Sequence, residues 1–263
     1  MELYIAGGVG EHGRNCFFLQ NGGDAILVDC GLMAGSDDPL PRLTESQIRK
    51  LKAVFLTHSH ADHTGALPWL LRQGYTGPII STTPTLQQLP FIVQNAVALE
   101  QVAPRNEKCN GITWGLSGHC EGSVWLKLDW DDKAILFSGD YTEQSAVYPC
   151  DVLRHQVADL AVLDCAYGHD STLWNDSVTA AAAAVENLLE KNPIVFLPVP
   201  KYGRGLDLLL QIRHRLPYVP MYGDAHFCKQ TEIALVDRKW YKPLPQRILR
   251  SVRPVSYTHL RAH

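Results

Sequence analysis

Four residues able to bind a metal stand within six positions, His58, His60, Asp62 and His63, in the run Thr57-His58-Ser59-His60-Ala61-Asp62-His63. Imidazole suits zinc, and a carboxylate adds a harder oxygen donor. Two histidines one residue apart can converge on one metal where the chain turns tightly, and Asp62 and His63 then point toward a neighbouring position. A polar loop that collected histidines by chance is the bland alternative, and four donors in six residues weigh against it. More donors lie further along: His119 in Gly118-His119-Cys120-Glu121-Gly122-Ser123, Asp140 in Ser138-Gly139-Asp140, and Asp29 after Ile26-Leu27-Val28. Alone, His119 or Asp140 would more often be an ordinary turn or capping residue. Beside the cluster each becomes a candidate ligand, and the set reads as a metal site with a neighbouring second position.

The elements that must position these residues are legible from pattern. Leu3 to Ile5, Cys16 to Leu19, Ala25 to Val28 and Ala53 to Leu56 read as strands, so the candidate site residues fall at strand ends. Thr44 to Lys50 reads as a short helix capped by Thr44. After the histidine cluster the pattern predicts a helix over Ala66 to Arg72, a strand over Pro78 to Ser81 and a longer helix over Thr85 to Glu100. Val124 to Leu128 and Ala134 to Phe137 form an expected hairpin around the acidic turn Asp129 to Asp132, and Leu160 to Leu163 reads as a buried strand. From about residue 170 helix and strand alternate: a helix over Asp176 to Lys191, a strand over Ile194 to Leu197, a helix over Leu206 to Arg215 and a strand over Val219 to Tyr222. That change of texture predicts a second domain.

Bulk properties bound the reading. The chain has 263 residues, 46% of them hydrophobic, enough for a sizeable core and against disorder. A net charge of −3 supplies no global basic field, so any nucleic-acid contact must use a local groove. Seven scattered cysteines without a C-x-x-C pair read as reduced thiols. Met1 leads straight into a strand-like stretch with no signal segment, and no apolar run is long enough to span a bilayer, so a cytoplasmic location without membrane association is expected. Residues 256–263 continue no pattern and read as a non-native tail.

Gly8-Val9-Gly10-Glu11-His12-Gly13 satisfies the G-x-G-x-x-G dinucleotide fingerprint on paper. That fingerprint needs a helix after it, whose N-terminus holds the pyrophosphate. Here a strand, Asn15 to Gln20, and an Asn-Gly-Gly turn follow. The segment is read as a glycine-rich loop between strands.

Taken in order, Val28-Asp29-Cys30-Gly31, the H-x-H-x-D-H cluster, Gly118-His119 and Ser138-Gly139-Asp140 resemble the successive motifs of the metallo-β-lactamase superfamily. Other stretches resemble its β-CASP branch. Gly7 to Asn15 is similar to the opening loop of RNase J-type nucleases, and Gly118 to Ser123 to the G-H-x-x-G-S form of the cleavage-and-polyadenylation nucleases. Leu163-Asp164-Cys165-Ala166-Tyr167-Gly168 is similar to the acidic motif closing the first half of the catalytic domain. Pro198 to Leu209, with Gly203-Arg204, is similar to the P-x-x-x-x-G-R stretch of the β-CASP cassette, although Lys201 and Tyr202 replace the small apolar residues usual there.

The resemblance implies an α/β fold: part of a metallo-β-lactamase αββα sandwich over residues 1–168, then the start of an α/β β-CASP cassette over 169–255. It implies that His58, His60 and His119 hold one zinc, that Asp62 and His63 hold a second, and that Asp140 bridges them. Asp29 would orient a ligand histidine, and Asp62, Asp29 and Asp164 would serve the chemistry. Ser123 and Arg204 are weaker candidates for phosphate contacts, Arg204 because a Gly-Arg pair opening a helix can present a guanidinium to a phosphate. The implied activity is a zinc-dependent phosphodiesterase acting on RNA, or on single-stranded DNA, with homodimerisation left open. The competing readings are a thioester or lactone hydrolase of the glyoxalase II kind, which uses the same cluster, and an inactive scaffold. The two later histidine motifs of the branch have no counterpart in the sequence, and His155, His169, His214 and His226 stand in other contexts. The expectation is therefore the front part of a longer enzyme with an incomplete second metal position.

Overall fold

A computed structural model of the chain describes residues 1–255; the tail reading lies outside the described residues. Two compact units are present. The first comprises Met1–Gly118, Gly122–Tyr141 and Cys150–Gly168, and the second His119–Glu121, Thr142–Pro149 and, among the described residues, 169–255.

In the first unit, β1 (Glu2–Gly7), β2 (Cys16–Asn21) and β3 (Asp24–Val28) run antiparallel. The β2–β3 connection is a two-residue hairpin turn in which Gly22 takes the positive φ, +57°, that such turns require. Next come α1 (Glu45–Lys50), β4 (Leu51–Phe55), α2 (Ala61–Thr64), α3 (Leu67–Arg72), β5 (Ile79–Ser81), α4 (Thr83–Gln88), β6 (Ala96–Ala98) and α5 (Leu99–Val102). Strands β3 to β6 are parallel, completing a six-stranded sheet in chain order. A second sheet is built from β7 (Ile112–Leu116), β8 (Val124–Trp130), β9 (Lys133–Phe137) and β10 (Leu160–Val162), the last parallel to β9.

The core follows the two-residue period of the strands. Cys16 and Phe18 of β2 join Ala25, Leu27, Val54, Leu56 and Ile79 in a cluster that also buries Ile48 of α1 and Leu67 and Leu70 of α3. Phe17 faces the other way and meets Phe137 of β9, ring centroids 5.7 Å apart. Each valine, leucine, isoleucine or phenylalanine so buried contributes about 1.5–3 kcal/mol. Helices against sheets, with the sheets in contact, make this unit an α/β sandwich.

Thr44 does cap α1. Its Oγ1 accepts the Gln47 N–H at 3.3 Å and the Gln47 side chain accepts the Thr44 N–H at 2.8 Å, a reciprocal capping box. The long helix expected over Thr85 to Glu100 is broken. Leu89 is extended (ψ 137°) because it precedes Pro90, which excludes helical geometry before it and lacks the N–H to continue the ladder. The strand expected over Leu160 to Leu163 forms over Leu160–Val162, but at the sheet edge: Leu160 is 45% exposed and Leu163, just past its end, 58%, so the segment is not buried.

The second unit contains α6 (Trp174–Leu189), α7 (Gly205–Arg215), β11 (Met221–Gly223), α8 (Ala225–Val236), α9 (Gln246–Leu249) and β12 (Val252–Pro254). Ala182 and Val185 of α6 pack on Ile212 of α7. Asp207 of α7 accepts hydrogen bonds from the Ser145 hydroxyl (2.8 Å) and the Ala146 N–H (2.7 Å), and burial raises its pKa. The strand expected over Ile194 to Leu197 is absent. Flanked by Pro193 and Pro198, this apolar run finds no neighbouring strand to pair with, and Phe196 is 77% exposed. Among the described residues no helix is long and apolar enough to cross a membrane.

Candidate metal centre

Asp29, just past the end of β3, anchors the site. Its backbone takes a left-handed conformation (φ +60°), and its N–H is held by the Phe55 carbonyl at 2.8 Å. One carboxylate oxygen accepts the Thr57 N–H (2.8 Å); the other accepts the Thr57 hydroxyl (2.8 Å) and lies 2.7 Å from His63 Nδ1. The ends of β3 and β4 are thereby locked together, and the histidine cluster starts from a fixed point. His60 precedes α2, which carries Asp62 and His63, so the turn that brings the donors together is one short helix. The cluster also has outer braces: the Ser59 hydroxyl donates to Gln88 at 2.6 Å, and Thr57 O accepts the Val124 N–H from β8 at 2.9 Å.

Donor atoms of His58, His60, His119 and Asp140 all lie within 4.8 Å of one another. His58 Nε2 and His60 Nδ1 are 3.2 Å apart. A tetrahedral ion with bonds of about 2.0–2.1 Å to nitrogen needs ligands about 3.3 Å apart, so this pair already has that spacing. Three imidazoles and a carboxylate are a donor set that zinc accepts. A second grouping adjoins the first. His63 Nε2 is 3.1 Å from Asp140 Oδ1 and 3.6 Å from Asp62 Oδ2, while Asp140 Oδ2 is 3.8 Å from His58 Nε2. One carboxylate, Asp140, thus faces both groupings. Burial opposes charge on His63, but the Asp29 carboxylate, with Asp140, outweighs it and holds its pKa well above the ordinary histidine value.

The other expected site residues fall elsewhere. Asp164 is exposed after β10 and outside the donor group, its carboxylate accepting the Tyr141 N–H (3.2 Å) and the Ala166 N–H (2.9 Å). That geometry braces the residue after Asp140. Ser123 is buried (1% exposed), and its carbonyl accepts the Ser117 N–H. Arg204 belongs to the second unit, where its guanidinium lies over the Trp174 ring, 4.9 Å from the centroid. Pattern reasoning overlooked Thr57, Gln88 and Asn15, whose side-chain amide reaches His63 Nε2 at 3.0 Å. Only the abrupt end of the glycine-rich loop at Arg14-Asn15 hinted at the last.

Residues 9–188 match the model of the metallo-beta-lactamase superfamily, and the chain belongs to that superfamily. Its curated relatives place it in the β-CASP branch. One is the transcription termination factor FttA of Methanosarcina mazei, 26% identical over 89% of this chain and 43% of that protein. Another is ribonuclease TTHA0252 of Thermus thermophilus, 25% identical over 86% of this chain and 58% of that protein. A third is the cleavage and polyadenylation specificity factor 73 of Drosophila melanogaster, 23% identical over 80% of this chain and 35% of that protein. The chain spans about half the length of the curated relatives it matches.

Proposed function

We propose that this chain is a zinc-dependent phosphodiesterase acting on RNA. The observation that carries the reading is the convergence of His58, His60, His119 and Asp140 within 4.8 Å, with Asp62 and His63 directly beside them. A relative named as a ribonuclease and one named as a cleavage and polyadenylation specificity factor support RNA as the substrate. In this reading His58, His60 and His119 hold one zinc, Asp62 and His63 a second, and Asp140 reaches both. Zinc supplies a water acidified to a pKa of about 7 and neutralises charge on the phosphoryl oxygens.

The chain's own residues do the orienting. Asp29 engages His63 Nδ1, which leaves Nε2 as the ring atom facing Asp140 and Asp62. Thr57 ties Asp29 to the start of the cluster through two hydrogen bonds, so the donors keep their spacing without a metal. Asp164, through the Tyr141 N–H, fixes the loop that carries Asp140.

The test is zinc content of the purified chain by mass spectrometry, with cleavage of a labelled single-stranded RNA, for the parent and for His58→Ala and Asp62→Ala. The expected result is bound zinc and RNA cleavage, both reduced in the variants. Zinc-dependent hydrolysis of a thioester with RNA left intact, or RNA cleavage that persists in both variants, overturns the proposal.

A further inference from the structure

Asn15 lies between two buried residues, Arg14 and Cys16, yet is itself partly exposed. Its backbone is fixed on both sides: the Asn15 N–H donates to the Asp62 carbonyl at 2.8 Å, and the Gly31 N–H donates to the Asn15 carbonyl at 2.9 Å. Its side-chain Nδ2 reaches the Asp62 carbonyl at 3.3 Å and His63 Nε2 at 3.0 Å. Because Asp29 engages Nδ1, Nε2 is the His63 atom left for a metal, and it faces Asp140 Oδ1 and Asp62 Oδ2. The Asn15 amide therefore stands at the edge of the second donor grouping. Its nitrogen carries two protons and no available lone pair, so it is not a ligand; one proton faces the Asp62 carbonyl, and the one that faces Nε2 is freed for another acceptor when a metal takes that atom. A neutral donor beside a metal position suits an anionic oxygen bound at the same place.

The loop in front of Asn15 is organised to hold it. A Cβ on Gly8 would sit 2.4 Å from Asn15 Oδ1, and one on Gly7 would sit 2.4 Å from the Arg14 carbonyl, so two glycines make the close approach possible. Arg14 takes a positive φ (+43°), and its buried guanidinium is clamped by both Glu11 oxygens (2.6 and 2.7 Å), by Asp38 and by the Leu40 carbonyl. A buried cation with this many partners resists reorientation, and Asn15 is the next residue.

We propose that Asn15 is a substrate-binding residue whose side-chain amide donates a hydrogen bond to a phosphoryl oxygen of the scissile phosphate. This rests on the phosphodiesterase reading above, and its test needs no RNA cleavage. Zinc alone is titrated into the metal-free chain, then inorganic phosphate into the zinc-loaded chain, both by calorimetry, for the parent, Asn15→Ala and Asn15→Asp. Asn15→Ala should keep the parent's zinc stoichiometry and weaken phosphate binding by about 10-fold, the loss of one hydrogen bond to a charged group. Asn15→Asp places a carboxylate next to His63 Nε2, so it should tighten the weaker zinc and repel phosphate. Unchanged phosphate affinity in Asn15→Ala overturns the proposal. So does an equal loss of zinc in both variants with a lowered unfolding temperature, which would mean that Asn15 only packs the Asp62–His63 turn. Asn15-dependent phosphate binding in a chain that hydrolyses a thioester and leaves RNA intact would overturn the RNA reading and leave Asn15 as a phosphate donor.

Discussion

Nδ1 of His63 lies 2.7 Å from a carboxylate oxygen of Asp29, and both side chains are almost wholly buried, 4% and 2% exposed. The pair sits behind the donor grouping and has no access to a substrate, so its effect on chemistry must pass through the orientation of the imidazole. Removing an outer partner of a metal-binding histidine typically costs 10–100-fold in metal affinity. Asp29→Ala is expected to lower zinc affinity by about that factor, measured by competition with a chromophoric chelator. Affinity within twofold of the parent would show that Thr57 and the backbone orient the ring without Asp29.

The same pair sets a pH dependence. The Asp29 and Asp140 carboxylates raise the pKa of His63 well above the unfolded value of about 6.5, so a proton competes with a metal for this ring. Its contribution to stability is fully present below about pH 6.5 and is lost as pH rises through the folded pKa. Zinc must displace that proton, so zinc affinity should climb as pH rises above 6.5. Proton release on zinc addition, read with a pH indicator in weak buffer at pH 7, checks the sign; no release would place the proton elsewhere.

Gly31 lies against the backbone that the site depends on. A Cβ there would fall 1.7 Å from the Asp62 carbonyl oxygen and 2.7 Å from the Asn15 nitrogen, both main-chain atoms that cannot swing aside. Gly31→Ala should therefore destabilise the chain by about 1–3 kcal/mol or more and reduce zinc stoichiometry. Full zinc content at an unchanged unfolding temperature would contradict the placement.

Glu11 gives a separate acid-side prediction. The hydrogen bond from Arg14 lowers its pKa to about 2, against the opposing effect of burial and with help from the Gly8 N–H. A depressed carboxylate contributes stability above its unfolded pKa, and that contribution fades as pH falls from about 4.5 toward 2. Glu11→Gln should flatten the stability profile across that window, leaving a variant less stable at pH 7 and closer to the parent at pH 2.5. Parallel profiles from thermal unfolding would refute the assignment.

Much of this was legible in the residues themselves. Four donors in six positions announced a metal site, because few other roles concentrate histidine and aspartate so tightly. His119 and Asp140 were recognisable only beside that cluster and through the order of motifs, since one histidine or one Gly-Asp turn carries little information alone. Pro90 punctuated a helix that the apolar spacing from Thr85 onward had suggested was continuous. Ile194 to Leu197 has the composition of a strand, but a strand exists only with a neighbour, and pairing is a property of the fold. Asn15 was hidden for a related reason: its role depends on a 3.0 Å approach to a residue 48 positions away.

The first sheet carries a consequence for the order of assembly. Its six strands pair strictly in chain order, so each new strand adds to the one made just before it and closes only a short loop. A nascent chain grows from its N-terminus, and this sheet is complete once Ala98 has emerged. Asp29, His58, His60, Asp62 and His63 would then be in place while His119 and Asp140 were still unsynthesised. On a ribosome the centre would mature in two stages: an early half able to scavenge a cation weakly, and a later half that closes around it.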